Sequence, residues 1–239
     1  MGSKSRFAKE LLPILIENRK PYQWYVEPFA GGMNIIDKVT GNRIANDNNK
    51  YLIAMWKGLQ ENRSRPKKIS KEFYSDVRDC FNGKNSRYDD FLIGWIGFMA
   101  SANGRFFEGG YSGKSNTKTG TVRDYIAESI SNIEKQMPQM KGVDFRFGDY
   151  LQLEIPEGSI VYCDIPYQGT KQYATSRGFD YRQFWNWART LNRHTVFISE
   201  YNAPFDFTCI WEKQASSSLR ANDVIQGNKV STERLFTIQ

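Results

Sequence analysis

Cysteine and histidine are scarce in this chain of 239 residues: Cys80, Cys163 and Cys209 are the only thiols and His194 the only imidazole. Three is an odd number, the three lie far apart with no C-x-x-C pair, and His194 alone is there to help them. A disulfide framework, a structural zinc site and a Cys–His nucleophile are therefore not expected, and no metal is assigned. Unpaired thiols suit a reducing compartment, so a cytoplasmic protein is expected. No apolar run reaches the roughly 20 residues that a membrane span needs, and the N-terminus lacks the apolar core of a signal peptide. Internal repeats and low-complexity tracts are absent as well.

Positive charge and aromatic rings are plentiful instead. The net charge is +7, the isoelectric point is near 9.2 and 15% of the residues are Phe, Trp or Tyr, a balance that suits a polyanionic partner. The length allows one main domain with a smaller insertion.

The most informative stretch is Val161-Tyr162-Cys163-Asp164-Ile165-Pro166-Tyr167. Its β-branched and aromatic start, bounded by Gly158 and Pro166, predicts a buried strand that ends at Asp164, where open α/β sheets bind ligands. Pro166 stiffens the backbone and holds Ile165 extended, which turns main-chain carbonyls toward a ligand. Tyr167 adds a flat face. A carboxylate, a carbonyl and a ring together suit a planar heterocycle carrying an exocyclic amino group.

Earlier in the chain, Phe7, Leu11, Leu12 and Leu15 mark a helix that Pro13 should kink or delay. Trp24 to Glu27 reads as the first strand. Pro28-Phe29-Ala30-Gly31-Gly32 follows as a small-residue turn, and Met33 to Val39 reads as a helical run. Arg43 to Asn46 reads as the next strand and ends at Asp47, about twenty residues beyond Glu27, where nucleotide-binding βαβ units place the acid that holds ribose hydroxyls. An N-cap of the following helix is the other role open to Asp47.

Between Arg63 and about Met140 the composition changes. Arg63, Arg65, Lys67, Lys68 and Lys71 cluster, Phe91 to Met99 reads as a buried helix, and Thr121 to Asp124 resembles a capping box ahead of Ile126, Ile130, Ile133 and Met137. Residues 103–120 mix turn glycines and aromatics with Asn103, Arg105, Lys114, Asn116 and Lys118, and Arg123 follows; such side chains can contact phosphates and base edges and can stack. Further strands are expected at Val143 to Phe147, Thr195 to Ser199, Phe207 to Trp211 and Arg234 to Ile238. Asp180 should cap a helix.

Taken together, Glu27-Pro28-Phe29-Ala30-Gly31-Gly32, Asp47, Gly148-Asp149 and Asp164-Ile165-Pro166-Tyr167 resemble the motif set of S-adenosylmethionine-dependent DNA adenine-N6 methyltransferases of the Dam type, in that family's order and over nearly the whole chain. The resemblance implies an α/β fold: a Rossmann-like class I methyltransferase sheet formed by residues 1–56 and 141–239, with a mainly helical target-recognition domain inserted at 57–140. It implies S-adenosylmethionine as cofactor, with Lys4 at its methionine end, Asp47 at the ribose, Asp149 near the adenine, and Glu27, Phe29, Ala30, Gly31, Gly32 and Asp164 completing the pocket. Asp164, Pro166 and Tyr167 become the catalytic group, acting on an adenine flipped out of double-stranded DNA. Asn103, Arg105, Lys114, Asn116, Lys118 and Arg123 become the DNA contacts. A monomer is expected, with a transient dimer left open. Ile165 departs from the usual Asp-Pro-Pro-Tyr. Two other readings stay open here: a DNA-binding module that keeps the fold without activity, and a methyltransferase of RNA or of a protein amide.

Overall fold

Seven strands, the inner ones alternating their side chains between two buried faces, form the centre of the molecule, seen in a computed structural model that describes residues 4–116, 120–170, 177–216 and 230–238. In chain order the elements are α1 (Ala8–Ile16), β1 (Tyr25–Glu27), β2 (Arg43–Asp47), α2 (Lys50–Gln60), α3 (Lys71–Phe81), α4 (Asp90–Ala100), β3 (Lys114–Asn116), β4 (Val122–Asp124), α5 (Tyr125–Gln136), β5 (Val143–Phe147), β6 (Ile160–Asp164), α6 (Tyr181–Thr190), β7 (Thr195–Glu200), β8 (Phe207–Ser216) and β9 (Val230–Ile238). The large sheet has the order β5-β2-β1-β6-β7-β9-β8, and β9 alone runs antiparallel to its neighbours. Strand order reverses between β1 and β6. That switch point is where a doubly wound sheet opens a crevice beyond its carboxyl ends.

The two faces follow from the period of two along each strand. Tyr25, Ala45, Val143, Phe145, Ile160 and Tyr162 face a core shared with α1 to α5, whereas Val26, Ile44, Val161, Cys163 and Ile198 face a second core with α6. The segment between β2 and β5 therefore shares its core with the sheet, and the expected division at residue 57 falls within α2. Close approach of α2 and α4 depends on glycine: a methyl group on Gly94 would lie 2.2 Å from the Tyr51 carbonyl oxygen. No described helix is long and apolar enough to cross a membrane.

Several local expectations need correction. Met33 to Val39 forms only a 3-10 turn at Ile36–Lys38, because Met33 takes a left-handed φ of 56° that a helix cannot continue. Donors from outside add to the turn's own bonds: Gln136 donates its side-chain amide to Gly32 O and Met33 O at 3.3 and 3.0 Å, and Arg43 donates to Ile36 O at 3.1 Å, while Met33 O and Ile36 O also accept the Asp37 and Val39 N–H groups at 3.4 and 3.2 Å. Thr121 is not the cap of α5. Asp124 is, accepting the Ala127 N–H at 3.0 Å, while residues 122–124 pair with β3 as a hairpin. α1 passes through Pro13, whose ring lies on the exposed side. β8 and β9 extend well beyond Trp211 and before Arg234 because each supplies the other's ladder.

Candidate active site

At the switch point, Glu27 ends β1 and Asp164 ends β6, both on the face that carries Tyr25 and Tyr162. Asp164 is half-buried, and its Oδ1 accepts Lys4 Nζ at 3.0 Å. Burial raises its pKa; Lys4 opposes that rise and Glu233 adds to it. Burial alone would pull the Lys4 ammonium down, but Asp164 and Glu233 outweigh it and leave its pKa raised. Lys4 also donates to the Tyr167 hydroxyl, and that hydroxyl donates to Glu233 Oε2 at 2.6 Å. Tyr167 is thus buried, with Lys4 Nζ 4.2 Å from its ring centroid and Tyr201 edge-on at 4.6 Å.

The loop after Asp164 is anchored at three points. Ile165 packs into the α6-side core beside Cys163, so the residue that departs from the usual tetrapeptide is fixed by burial in place of a second proline ring. Gln168 donates its N–H to Glu200 Oε2 at 2.9 Å, and Glu200 also accepts the Tyr201 N–H at 2.6 Å. Tyr167 is held through its hydroxyl. Pro166 lies half-buried between these anchors.

The turn after β1 is held over the end of β2. Ala30 N–H bonds Asn46 O at 2.8 Å, and the buried Asn46 side chain donates to Pro28 O and Gly148 O, each at 3.0 Å. Gly31 takes φ +47°, which a residue without Cβ adopts most readily, and gives its N–H to Asp47 Oδ2 at 2.9 Å. Asp47 Oδ1 accepts the Asn49 N–H at 2.9 Å. The α2 cap itself is Asn49, which accepts from Tyr51 and Leu52, so Asp47 is left for the crevice. Burial raises the Asp47 pKa against these two N–H groups. Glu27 is buried with a hydrogen bond from Tyr25 Oη at 3.2 Å, and burial drives its pKa far up. Phe29 joins an aromatic cluster with Tyr150, Phe179 and Phe184 at 4.8, 5.7 and 5.7 Å between centroids. Asp149 is exposed and caps the turn after β5 by accepting the Leu151 N–H at 3.0 Å.

Lys4, Asp164, Tyr167 and Glu233 therefore meet at one point, Glu27 stands at the end of the adjacent strand, and Ala30, Gly31 and Asp47 are bonded around the next strand end. The DNA-contact candidates lie elsewhere, on the surface of the inserted segment. Asn103, Arg105, Lys114, Asn116 and Arg123 are exposed, and Lys118 lies outside the described residues. Arg123 is committed to Glu128 through three hydrogen bonds of 2.7 to 3.0 Å. Phe106 and Phe107, expected as stacking faces, are instead packed with Tyr51, Phe81 and Phe98. In the basic cluster, Arg63 pairs with Asp89 at 2.5 Å and Lys67 with Glu134 at 2.9 Å. Sequence reading did not find Glu200, Glu233, Asn46 or Gln136. All four act across more than thirty residues, and no local pattern announces such a contact.

Among the described residues no group of three or more His, Cys, Asp and Glu is placed to hold a metal. Among solved structures, the chain is similar to SMU.472, a provisionally assigned methyltransferase solved in complex with SAH. The identity is 13% and the TM-score 0.38, and the match covers 98% of this chain and 52% of that one. The chain thus spans about half the length of the solved protein it matches. The family model described as D12 class N6 adenine-specific DNA methyltransferase matches residues 1–206, and the chain belongs to that family.

Proposed function

We propose that this protein transfers a methyl group from S-adenosylmethionine to the N6 amino group of an adenine extruded from double-stranded DNA. Asp164 carries the reading: a half-buried carboxylate at the switch point, with Lys4 on one oxygen and a rigid Ile-Pro-Tyr segment directly after it.

The residues fit the cofactor. Asp47 presents a half-buried carboxylate whose hydrogen-bond partners among the described residues are main-chain N–H groups, one on each oxygen, and each oxygen keeps a further lone pair for a ribose hydroxyl. Ala30, Gly31 and Gly32 bring main chain close to the same strand end. Asp149 and the Phe29–Tyr150 pair stand at the β5 side for the nucleoside base, and Lys4 and Glu27 stand toward the methionine end. When bound, the cofactor supplies an electrophilic methyl group on a sulfonium.

What the chain must supply is aim. The adenine amino nitrogen is a weak nucleophile because its lone pair is delocalised into the ring. An acceptor at Asp164 and a main-chain carbonyl beside Pro166 hold its two hydrogens and direct the lone pair out of the plane, so the catalysis is positional and electrostatic. Asp164 takes up a proton only as the nitrogen becomes acidic on methylation. Extruding the base costs a few kcal/mol, which stacking on an aromatic face of about 1–3 kcal/mol per base offsets in part. In the described conformation Lys4 lies over Tyr167, so stacking there requires the ammonium to give way.

The test is to incubate the protein with S-adenosylmethionine and duplex DNA and analyse the nucleoside digest. N6-methyladenine is expected. Label found only in RNA or in a protein amide, with none in DNA, would replace this reading.

A further inference from the structure

We propose that Glu233, contributed by β9 and outside the family-matched residues 1–206, is a positioning residue that keeps one oxygen of Asp164 open for the adenine amino group. The inference rests on the proposed methylation of adenine.

Glu233 is buried, and its Oε2 accepts from Lys4 Nζ at 3.3 Å and from the Tyr167 hydroxyl at 2.6 Å. Lys4 sits between two carboxylates, with Asp164 Oδ1 at 3.0 Å on the other side and the Tyr167 hydroxyl as a third acceptor. An ammonium has three hydrogens, and all three are used. Only one is given to Asp164. Asp164 Oδ2 has no hydrogen-bond partner among the described residues, so the carboxylate is held in place on one oxygen while the other stays an acceptor. Without Glu233, Lys4 is free to draw in on Asp164 and occupy both oxygens, which is the arrangement least able to receive an N–H.

The same glutamate fixes the aromatic ring. Taking the Tyr167 hydroxyl hydrogen sets the ring against Tyr201, while Glu200 on the paired strand β7 holds the next residue through its main-chain N–H. Two buried carboxylates near each other are costly unless donors meet them, so their retention here is explained better by geometry than by stability.

The test uses Glu233→Gln, which still accepts the Tyr167 hydroxyl but brings no charge to Lys4, and Glu233→Ala, which does neither. Four quantities are read: thermal stability, affinity for S-adenosylhomocysteine by calorimetry, the single-turnover methylation rate of the preformed complex, and that rate against pH. Both variants are expected to lose some affinity for the cofactor product, since Lys4 moves, but by much less than the rate, which falls about tenfold for Gln and further for Ala. The acid limb of the Gln variant should move to lower pH, because the carboxylate that raises Asp164 is gone while Lys4, Glu27, Tyr162, Cys163 and Tyr167 still face it. Should the Ala variant not fold, Glu233→Gln on a Tyr167→Phe background decides: its extra loss must be smaller than on the unmodified background. An unchanged rate, an unshifted acid limb, or a loss of cofactor affinity that matches the loss of rate overturns the proposal. Absence of N6-methyladenine from the unmodified protein would remove the underlying reading, whereas product formed equally well by all three proteins removes this inference alone.

Discussion

The strand-end crevice and the surface of the inserted segment carry the two halves of the proposed reaction, and they are built in opposite ways. In the crevice, Lys4, Asp47, Asp164 and Glu233 are buried or half-buried and bonded to elements far away in sequence. On the exposed hairpin of the insertion, Arg123 bonds Glu128 five residues on, and Lys114 lies 4.0 Å from Asp124 across a pair of three-residue strands. Chemistry needs atoms fixed by the whole fold. In the proposed recognition, such side chains exchange a local carboxylate for a phosphate or a base edge at little cost, since exposed ion pairs are each worth about 0–1 kcal/mol.

The largest effect should come from the centre of the crevice. Asp164→Ala is expected to lower turnover at least about a hundredfold, roughly 2.7 kcal/mol of transition-state stabilisation, while circular dichroism remains that of a folded protein. Retention of more than about a tenth of the activity would rule out the acceptor role.

Next comes the surface. Arg105→Ala should cost roughly 1–3 kcal/mol on the preferred DNA site and little on scrambled duplex, as befits a base contact. Lys68→Ala should weaken both duplexes alike and flatten the salt dependence by about one unit of slope. Lys68 is the better probe than Lys67, which is paired with Glu134. Cognate and scrambled affinities across a salt series check this, and equal losses on both duplexes for Arg105→Ala would place specificity outside residues 103–120.

Asp47→Ala follows, with cofactor affinity expected to fall about tenfold by calorimetry and turnover at saturating cofactor nearly unchanged, because ribose hydroxyls do not change on the way to the transition state. An unchanged affinity would leave Asp47 only its bonds to Gly31 and Asn49.

What was legible in the sequence divides along the same line. Asp47 and Asp164 were readable because a strand pattern that stops at an acid states both the element and its end. Glu233 was not, because a glutamate among Ser231, Thr232 and Arg234 has the pattern of an ordinary exposed strand, and only β9 lying beside β7 brings it to Lys4. The missing helix after Gly32 has a local cause: Met33, Ile35, Ile36 and Val39 have helical spacing, but the left-handed φ of Met33 breaks the helix, and Gln136 from the far end of the insertion adds donors to Gly32 O and Met33 O. The hairpin strands at 114–116 and 122–124 were missed because they are short and exposed.

The smallest effect concerns stability and sharpens the comparison by sign. Glu27 in the crevice is buried, and burial raises its pKa well above 4.5. A carboxyl group raised in this way contributes its full stability below the unfolded value, and that contribution is lost as pH climbs toward the folded one. Glu128 on the insertion is exposed, and Arg123 lowers its pKa, so its contribution is present above the unfolded value and fades as pH falls. Replacing Glu27 by Gln should therefore flatten the decline in melting temperature as pH rises above the ordinary carboxylate range, by roughly 2–4 °C for each kcal/mol recovered. Replacing Glu128 by Gln should leave that range untouched and produce only a slight change near pH 4. Melting curves of the three proteins across this range are the measurement. A Glu27→Gln curve parallel to that of the unmodified protein at every pH would mean that Glu27 ionises without penalty, and the crevice would then be as open to solvent as the surface it is being compared with.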